Sequence, residues 1–200
     1  MTVIGLTGPT GAGKTTALEV LAGFGFEIVD CDALYYHLLR TDGELRQKLA
    51  NAFGPVFLPD GELNRRALAG RVFSDKKELD KLNAIVFPAM SAAVEQKIRK
   101  CSQKGLVIDA VNLIESGMGE LCAATVAVTA PPALRLKRIM ARDGLPEAQA
   151  QARIQAQKPD CWYGRHCTFL LENQLEDRAA CREHMRGFFQ NLLDTIVEGD

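Results

Sequence analysis

The stretch Met1-Thr-Val-Ile-Gly-Leu-Thr-Gly-Pro-Thr-Gly-Ala-Gly-Lys-Thr-Thr16 decides the fold of this chain. It opens with a short apolar strand, and residues 8–15 match the phosphate-loop pattern G-x-x-x-x-G-K-[ST] at every position. Glycines let the backbone turn through conformations closed to other residues, so successive N–H groups can face one anion. Residues 15–24 continue with apolar side chains at helical spacing. The strand–loop–helix context therefore predicts a site for a nucleoside triphosphate.

Two side chains of this loop carry the predicted chemistry. Lys14 is expected to reach the β- and γ-phosphates, and the Thr15 hydroxyl is expected to take a place on Mg²⁺. The partial positive charge at the N-terminus of the following helix adds to the same field. The alternative is a glycine-rich turn without function, which the complete match to the motif disfavours.

Length and composition restrict the classes of protein to which the chain can belong. Its 200 residues suit one domain, residues 1–200, with insertions. A net charge of −1 provides no global field for nucleic acid or an anionic membrane. No apolar run reaches bilayer-spanning length, and the N-terminus lacks the features of a signal peptide. We therefore expect a cytoplasmic protein, with a monomer favoured, that binds neither nucleic acid nor membranes.

The six cysteines do not form the paired spacing of a metal site. In a cytoplasmic chain they are expected to be reduced thiols, several of them buried. One group contains enough ligand side chains for a zinc site: Cys161, His166, Cys167, Cys181 and His184. Its spacings differ from the usual zinc ligand patterns, so zinc is the less favoured interpretation.

Strands and helices alternate along most of the chain. Apolar strand patterns occur at residues 3–6, 26–30, 106–111, 125–128 and 168–171. Helical patterns lie between them, which predicts an α/β fold of three layers: a five-stranded parallel sheet with helices on both faces. Residues 33–103 are almost wholly helical and are too long for one crossover, so they are predicted to be an insertion. Pro88 is expected to separate two helices of this insertion, and residues 158–164 are expected to form a loop.

Three aspartates lie on predicted strands or just past them and are candidates for catalysis. Asp32 lies just past the second strand, at the sheet edge where ligands bind in open α/β folds. It is expected to accept a proton from a substrate hydroxyl or to hold Mg²⁺, whereas the structural alternative is capping of the next helix. Asp30 is the weaker candidate. Asp109, on the third strand, suits either a magnesium ligand reached through water or a structural partner of the loop.

A basic segment over residues 131–165 contains seven Lys and Arg against three acidic residues. Arg138 and Arg142 are one helical turn apart and share a face, which suits the binding of phosphate oxygens by a mobile lid over residues 138–165. The alternative is a solvated helix face, which we predict for Arg135 and Lys137.

With these features in place, the sequence resembles the dephospho-CoA kinase family along nearly its whole length. In the N-terminal part, residues 4–16 match I-G-L-T-G-x-x-G-x-G-K-[ST]-T, and Asp30-Cys31-Asp32 matches D-A-D. A middle segment of the family, F-G…D-G-x-L-x-R-x-x-L…V-F, is matched by Phe53-Gly54, Asp60-Gly61, Leu63, Arg65, Leu68 and Val72-Phe73. In the C-terminal part, residues 136–143 match L-x-R-x-x-x-R-D, Arg153 and Gln157 match R-x-x-x-Q, and Asn173 matches an asparagine after the last strand. Several spaced matches in the right order are much more specific than the loop alone.

The resemblance implies a P-loop kinase that transfers the γ-phosphoryl group of ATP to the ribose 3′-hydroxyl of dephospho-CoA. It implies that the ATP phosphates are held by Gly11, Ala12, Gly13, Lys14, Thr15 and Thr16. It makes Asp32 the catalytic carboxylate and Arg142 the lid arginine at the transferred group, with Arg138 on the same face. Arg65 would face the acceptor, and Asn173 would lie near the adenine.

The sequence also departs from the family pattern at four positions. Tyr36 replaces an arginine, Phe87 replaces a histidine before proline, Val111 replaces a proline, and Thr168 replaces an aspartate. All four lie on the acceptor side or in supporting structure, so ATP binding is predicted more firmly than the acceptor. Two other functions stay open: a kinase of another small nucleotide or nucleoside, and a nucleotide-binding regulatory module.

Overall fold

A computed structural model describes residues 1–72 and 75–198 of the chain. Phe73, part of the middle motif, lies outside the described residues. The chain divides into two compact units, Met1–Val29 with Cys101–Asp200, called here the core unit, and Asp30–Lys100, called the helical unit. The helical unit differs by about three residues at each end from the predicted insertion, and its role in binding a substrate stays a prediction.

The core unit is built on the predicted five-stranded sheet. The strands of this sheet are β1 Thr2–Thr7, β2 Phe26–Asp30, β3 Gly105–Asp109, β4 Ala124–Thr129 and β5 Phe169–Glu172, and only Asp30 of them falls in the helical unit. They are ordered β2-β3-β1-β4-β5, and β1 lies parallel to both β3 and β4, while β5 lies parallel to β4. Leu6 of β1 pairs with Asp109, which brings the end of β3 beside the start of the phosphate loop.

Helices follow the strands in alternation, as predicted. In the core unit they are α1 Lys14–Gly23, α6 Pro132–Asp143, α7 Glu147–Gln155, α8 Asp160–His166 and α9 Arg178–Glu198. In the helical unit they are α2 Cys31–Thr41, α3 Gly43–Phe53, α4 Arg65–Val72 and α5 Lys76–Lys100. Along the described residues, no helix is both long enough and apolar enough to cross a bilayer.

The sheet is buried on both faces, which explains the uninterrupted apolar runs of its central strands. All six residues of β4 are buried, and Ile4 and Leu6 of β1 are fully enclosed. Phe189 and Met185 of α9 join α1 and the sheet in one hydrophobic cluster. The predicted α/β fold of a five-stranded parallel sheet between helices is confirmed.

Two local predictions are wrong, and packing explains both. Pro88 lies inside one continuous helix, α5, because Val86, Met90 and Val94 form a buried stripe that runs past it. That packing outweighs the one backbone hydrogen bond that proline removes. The loop predicted over residues 158–164 contains α8, which Pro159 precedes and whose Tyr163 is buried.

Candidate active site

The phosphate loop runs from Gly8 to Gly13, between β1 and α1. Three of its glycines have positive φ angles, 134° at Gly8, 77° at Gly11 and 110° at Gly13. The Gly13 carbonyl accepts the first helical bonds from the N–H groups of Thr16, at 3.0 Å, and Ala17. The N–H groups at the very start of a helix have no partner within the helix. The start of α1 therefore presents donors and a positive partial charge to an anion.

The outer side of the loop is held by polar side chains from the C-terminal part of the chain. Arg138 donates to the carbonyls of Gly11, at 3.0 Å, and Ala12, at 3.2 Å. Asn173, which is buried, donates to the Ala12 carbonyl at 2.8 Å. In a trans peptide the carbonyl and the next N–H point to opposite sides. Holding the Ala12 carbonyl outward thus turns the N–H of Gly13 toward the inside of the loop.

These contacts bear on two predicted ligand residues. Arg138 also donates to the Leu175 carbonyl at 2.7 Å, and the Asn173 amide oxygen accepts from the Cys181 thiol at 3.1 Å. Both side chains therefore support the loop. Substrate binding by Arg138 and adenine contact by Asn173 stay predictions.

Arg135 corrects a prediction, because it does not lie on a solvated helix face. Its side chain is buried, at 3% exposure, and its Nε donates to the Thr10 carbonyl at 3.0 Å. Burial of Ile139, one turn later, places Arg135 on the inner stripe of α6. The four-residue spacing to Ile139 is the signal in the sequence for this burial, and the charge of Arg135 points the other way. Lys137 is exposed, as predicted, and pairs with Glu176 at 2.5 Å.

Lys14 forms an ion pair with Asp109 at the end of β3. The distance between Nζ and Oδ1 is 3.0 Å, and the two side chains are 19% and 18% exposed. The pair makes Asp109 a partner of the loop and holds the ammonium group there. A role of Asp109 as a magnesium ligand reached through water stays a prediction.

Arg142 lies at the end of α6, beside the left-handed Gly144 that terminates the helix. Its guanidinium donates twice to the Asp143 carboxylate, at 2.7 and 3.0 Å, and Nη2 lies 3.4 Å from Oγ1 of Thr10. Arg153 of α7 joins the same carboxylate at 2.5 Å. Hydrogen bonding from Arg142, and to a smaller extent from Arg153, lowers the pKa of the Asp143 carboxyl below its ordinary value. Arg142 is 61% exposed, so it is accessible to a ligand of the loop.

In the helical unit, the two aspartates at the start of α2 have different positions. Asp30 is the N-cap, and its side chain accepts from the Ala33 N–H at 2.9 Å. Asp32 is the second residue of α2 and is exposed. The capping role weighed as the alternative for Asp32 is therefore wrong, because Asp30 performs it.

Tyr36 and Arg65 connect α2 to α4 within the helical unit. The Arg65 guanidinium lies 4.1 Å from the centre of the Tyr36 ring, a cation–π contact. Tyr36 comes one turn after Asp32 on α2, so these residues share a helix face. The structure therefore brings the predicted acceptor residue Arg65 onto the face that carries Asp32.

The other three departures from the family pattern are Thr168, Val111 and Phe87. Thr168 bonds to Thr125 across β4 and β5, with the Thr168 N–H donating to Oγ1 at 2.9 Å. The Val111 carbonyl accepts from the Thr7 hydroxyl at 3.1 Å, and its side chain is 49% exposed. Phe87 lies within α5. Over residues 1–72 and 75–198, no three His, Cys, Asp or Glu side chains gather as a preformed metal site.

A Gly8→Ala variant tests how tightly the loop is built. A Cβ at Gly8 would lie 2.1 Å from the Val128 carbonyl oxygen, and the φ of 134° is strained for alanine. We expect the free energy of unfolding to fall by about 3 kcal/mol or more, measured by urea denaturation. Gly187→Ala is the control, because Gly187 lies inside α9 with no atom near its Cβ position. Equal stability of Gly8→Ala and the wild type would contradict this packing.

Three comparisons relate the chain to known proteins. The sequence model of the dephospho-CoA kinase family matches residues 2–177. The dephospho-CoA kinase of Moorella thermoacetica is 36% identical over 96% of this chain and 92% of its own. That of Anaeromyxobacter dehalogenans is 37% identical over 100% of this chain and 94% of its own. A crystal structure from Thermus thermophilus superposes with a TM-score of 0.77 at 30% identity, covering 96% of this chain and 97% of that one.

Proposed function

This chain belongs to the dephospho-CoA kinase family, and we propose that it transfers the γ-phosphoryl group of ATP to the ribose 3′-hydroxyl of dephospho-CoA. It is an ATP-dependent kinase of coenzyme A synthesis. We propose ATP and dephospho-CoA as its small-molecule partners, in a cytoplasmic monomer. The observation that carries the proposal is the phosphate loop, with Lys14 held beside it and its carbonyls bound from outside.

Binding of ATP is proposed to begin with an exchange of partners at Lys14. The ammonium leaves Asp109 for the β- and γ-phosphates, while N–H groups of the loop and of the first turn of α1 surround the phosphate oxygens. No large rearrangement of the backbone is needed, because the outer carbonyls are already held. A preformed loop lowers the entropy lost on binding.

Transfer of the phosphoryl group is proposed to use Asp32, Arg142 and Arg65. Asp32 accepts the proton of the attacking hydroxyl, which makes the oxygen a better nucleophile. Arg142 exchanges its bonds with Asp143 for the transferring group and neutralises its charge. Arg65 binds an anionic group of the acceptor, with Tyr36 beneath its guanidinium.

The residues present fit a magnesium ion brought by the nucleotide. Mg²⁺ in such sites is held by one or two protein oxygens together with phosphates and water. Thr15 is exposed at the start of α1, and we propose its hydroxyl and Asp32 as the protein ligands. When bound, the ion neutralises charge that develops on the β- and γ-oxygens.

A coupled assay with a panel of acceptors tests the proposed function. Purified protein with ATP and Mg²⁺ is expected to release ADP and form CoA only when dephospho-CoA is present. Adenosine, AMP and pantetheine serve as other acceptors in the panel. Turnover of one of these instead would identify a kinase of another small molecule. Slow hydrolysis that no acceptor stimulates would indicate a regulatory nucleotide-binding module.

Replacement of Arg65 tests the acceptor side alone. Arg65→Ala is expected to raise the KM for dephospho-CoA about tenfold or more, because a charge-assisted bond to the acceptor is lost. The KM for ATP should stay within about twofold of the wild-type value, as α4 takes no part in the phosphate loop. Arg66→Ala, at the adjacent position of α4, is the matched control. An unchanged KM for dephospho-CoA in Arg65→Ala would remove Arg65 from the acceptor site.

A further inference from the structure

A closed ring of hydrogen bonds lies behind the phosphate loop. Arg135 donates through Nε to the Thr10 carbonyl, at 3.0 Å, and through Nη2 to the Gln157 side-chain oxygen, at 2.6 Å. The same Gln157 oxygen accepts from the Thr10 N–H at 3.1 Å. Both polar groups of the Thr10 backbone are thus held by two side chains that also hold each other.

The ring joins three separate parts of the core unit. Thr10 belongs to the loop, Arg135 to α6, and Gln157 to the segment after α7. Arg135 is buried, and a buried charge persists only where hydrogen bonds replace its lost water. Burial lowers the pKa of the guanidinium, whereas Asp160 and Tyr163 of α8 oppose that shift, and arginine remains charged. The ring is therefore anchored by a buried charge, with Thr10 and Gln157 half-buried beside it.

The ring acts on two consecutive peptide groups of the loop. The Thr10 N–H belongs to the Pro9–Thr10 peptide, and the Thr10 carbonyl belongs to the Thr10–Gly11 peptide. Since the carbonyl and N–H of a trans peptide point in opposite directions, holding the Thr10 carbonyl toward Arg135 turns the Gly11 N–H away from it. Gly11 has a positive φ of 77°, and a glycine would otherwise allow this peptide to rotate.

We propose that Arg135 and Gln157 are positioning residues for the nucleotide, which fix the Thr10 peptides so that the Gly11 N–H faces the phosphates. They act through the backbone and do not themselves touch the phosphates. The inference rests on the proposed function only for the identity of the nucleotide. Nucleotide affinity is its readout, and that can be measured without an acceptor.

The expected effect follows from the population of the correct loop conformation. When only a fraction of molecules has the competent conformation, the apparent dissociation constant rises by the inverse of that fraction. A loop released from the ring and competent in about a tenth of the molecules would bind nucleotide about tenfold more weakly. Affinity for the acceptor does not depend on this fraction.

Five variants of the full chain test the inference by calorimetric titration with MgADP. Arg135→Met, which keeps the length of the side chain, is expected to weaken binding about tenfold, and Gln157→Ala about fivefold. Arg135→Lys keeps one bond to Thr10 and should lie between Arg135→Met and the wild type. Lys137→Ala, an exposed position of the same helix, should bind MgADP as the wild type does. The double variant Arg135→Met/Gln157→Ala should lose less binding free energy for MgADP than the sum of the losses in the two single variants, because both substitutions break the same ring.

Steady-state kinetics and urea denaturation separate positioning from a merely structural role. The KM for ATP should rise with the MgADP dissociation constant, while the KM for dephospho-CoA stays within about twofold. Wild-type MgADP affinity in folded Arg135→Met and Gln157→Ala would overturn the inference, as would a parallel loss of affinity for both substrates. If Arg135→Met does not fold, Arg135→Lys and Gln157→Ala decide by the same criteria. Failure of dephospho-CoA as acceptor would refute the proposed function and leave the MgADP result intact.

Discussion

A Lys14→Ala variant is expected to lose about a thousandfold or more in kcat/KM for ATP, because no other group replaces its charge at the transferring phosphates. The structure holds Nζ of Lys14 at the loop through Asp109, 3.0 Å away, in a partly buried position. An ammonium in such a site interacts more strongly with a phosphate than one in bulk water. Initial rates at varied ATP, together with MgADP titration, measure the loss.

Two further variants define what this loss means. Lys104→Ala removes an exposed lysine before β3 and should leave the rate unchanged. Lys14→Arg keeps the charge in a larger, planar group and should recover only a small part of the activity. A Lys14→Ala enzyme with more than about a tenth of wild-type kcat/KM would contradict the role of Lys14 in transfer.

An Asp32→Asn variant is expected to lower kcat by about a hundredfold to ten-thousandfold, because the amide accepts no proton from the attacking hydroxyl. MgADP affinity should fall much less than kcat, since Thr15, the phosphates and water remain as ligands of the ion. Rapid-quench measurement of a single turnover isolates the chemical step from product release.

Asp30→Asn is the matched control, two residues away. Asp30 caps α2 through the Ala33 N–H, and asparagine caps a helix about as well as aspartate. Both the rate and the urea midpoint should therefore be retained. Loss of the chemical step in Asp30→Asn, with full activity in Asp32→Asn, would exchange the roles assigned to the two carboxylates.

The sheet and the loop were predictable because local sequence dominates them. Central parallel strands are buried on both faces, so β1 and β4 show as apolar runs, and the loop requires glycine at positions whose φ is positive. The face shared by Asp32 and Tyr36 also follows from helical spacing alone. The contact between Tyr36 and Arg65 depends on how α4 packs, which helical spacing does not specify.

Other features depend on contacts between distant segments, which local patterns do not reveal. Pro88 is tolerated because α5 packs on both sides of it, and α8 forms despite a glycine because Tyr163 is buried. Arg135 carries a charge and is nevertheless buried, because its hydrogen bonds to distant residues replace its contacts with water. Arg138 and Asn173 are predicted to contact ligands, and their contacts to the loop could not be predicted as well, because both residue types suit either task.

The support of the phosphate loop has a consequence for synthesis of the chain. Its partners are 125 residues away for Arg135, 147 for Gln157 and 161 for Asn173. A chain emerging from the ribosome displays the complete glycine motif long before these partners exist. Contacts so distant in sequence form late and slowly in folding. Nucleotide binding therefore cannot stabilise the N-terminal half during synthesis, because the loop still lacks its supporting partners. It will stabilise the folded state only once the last third of the chain has folded.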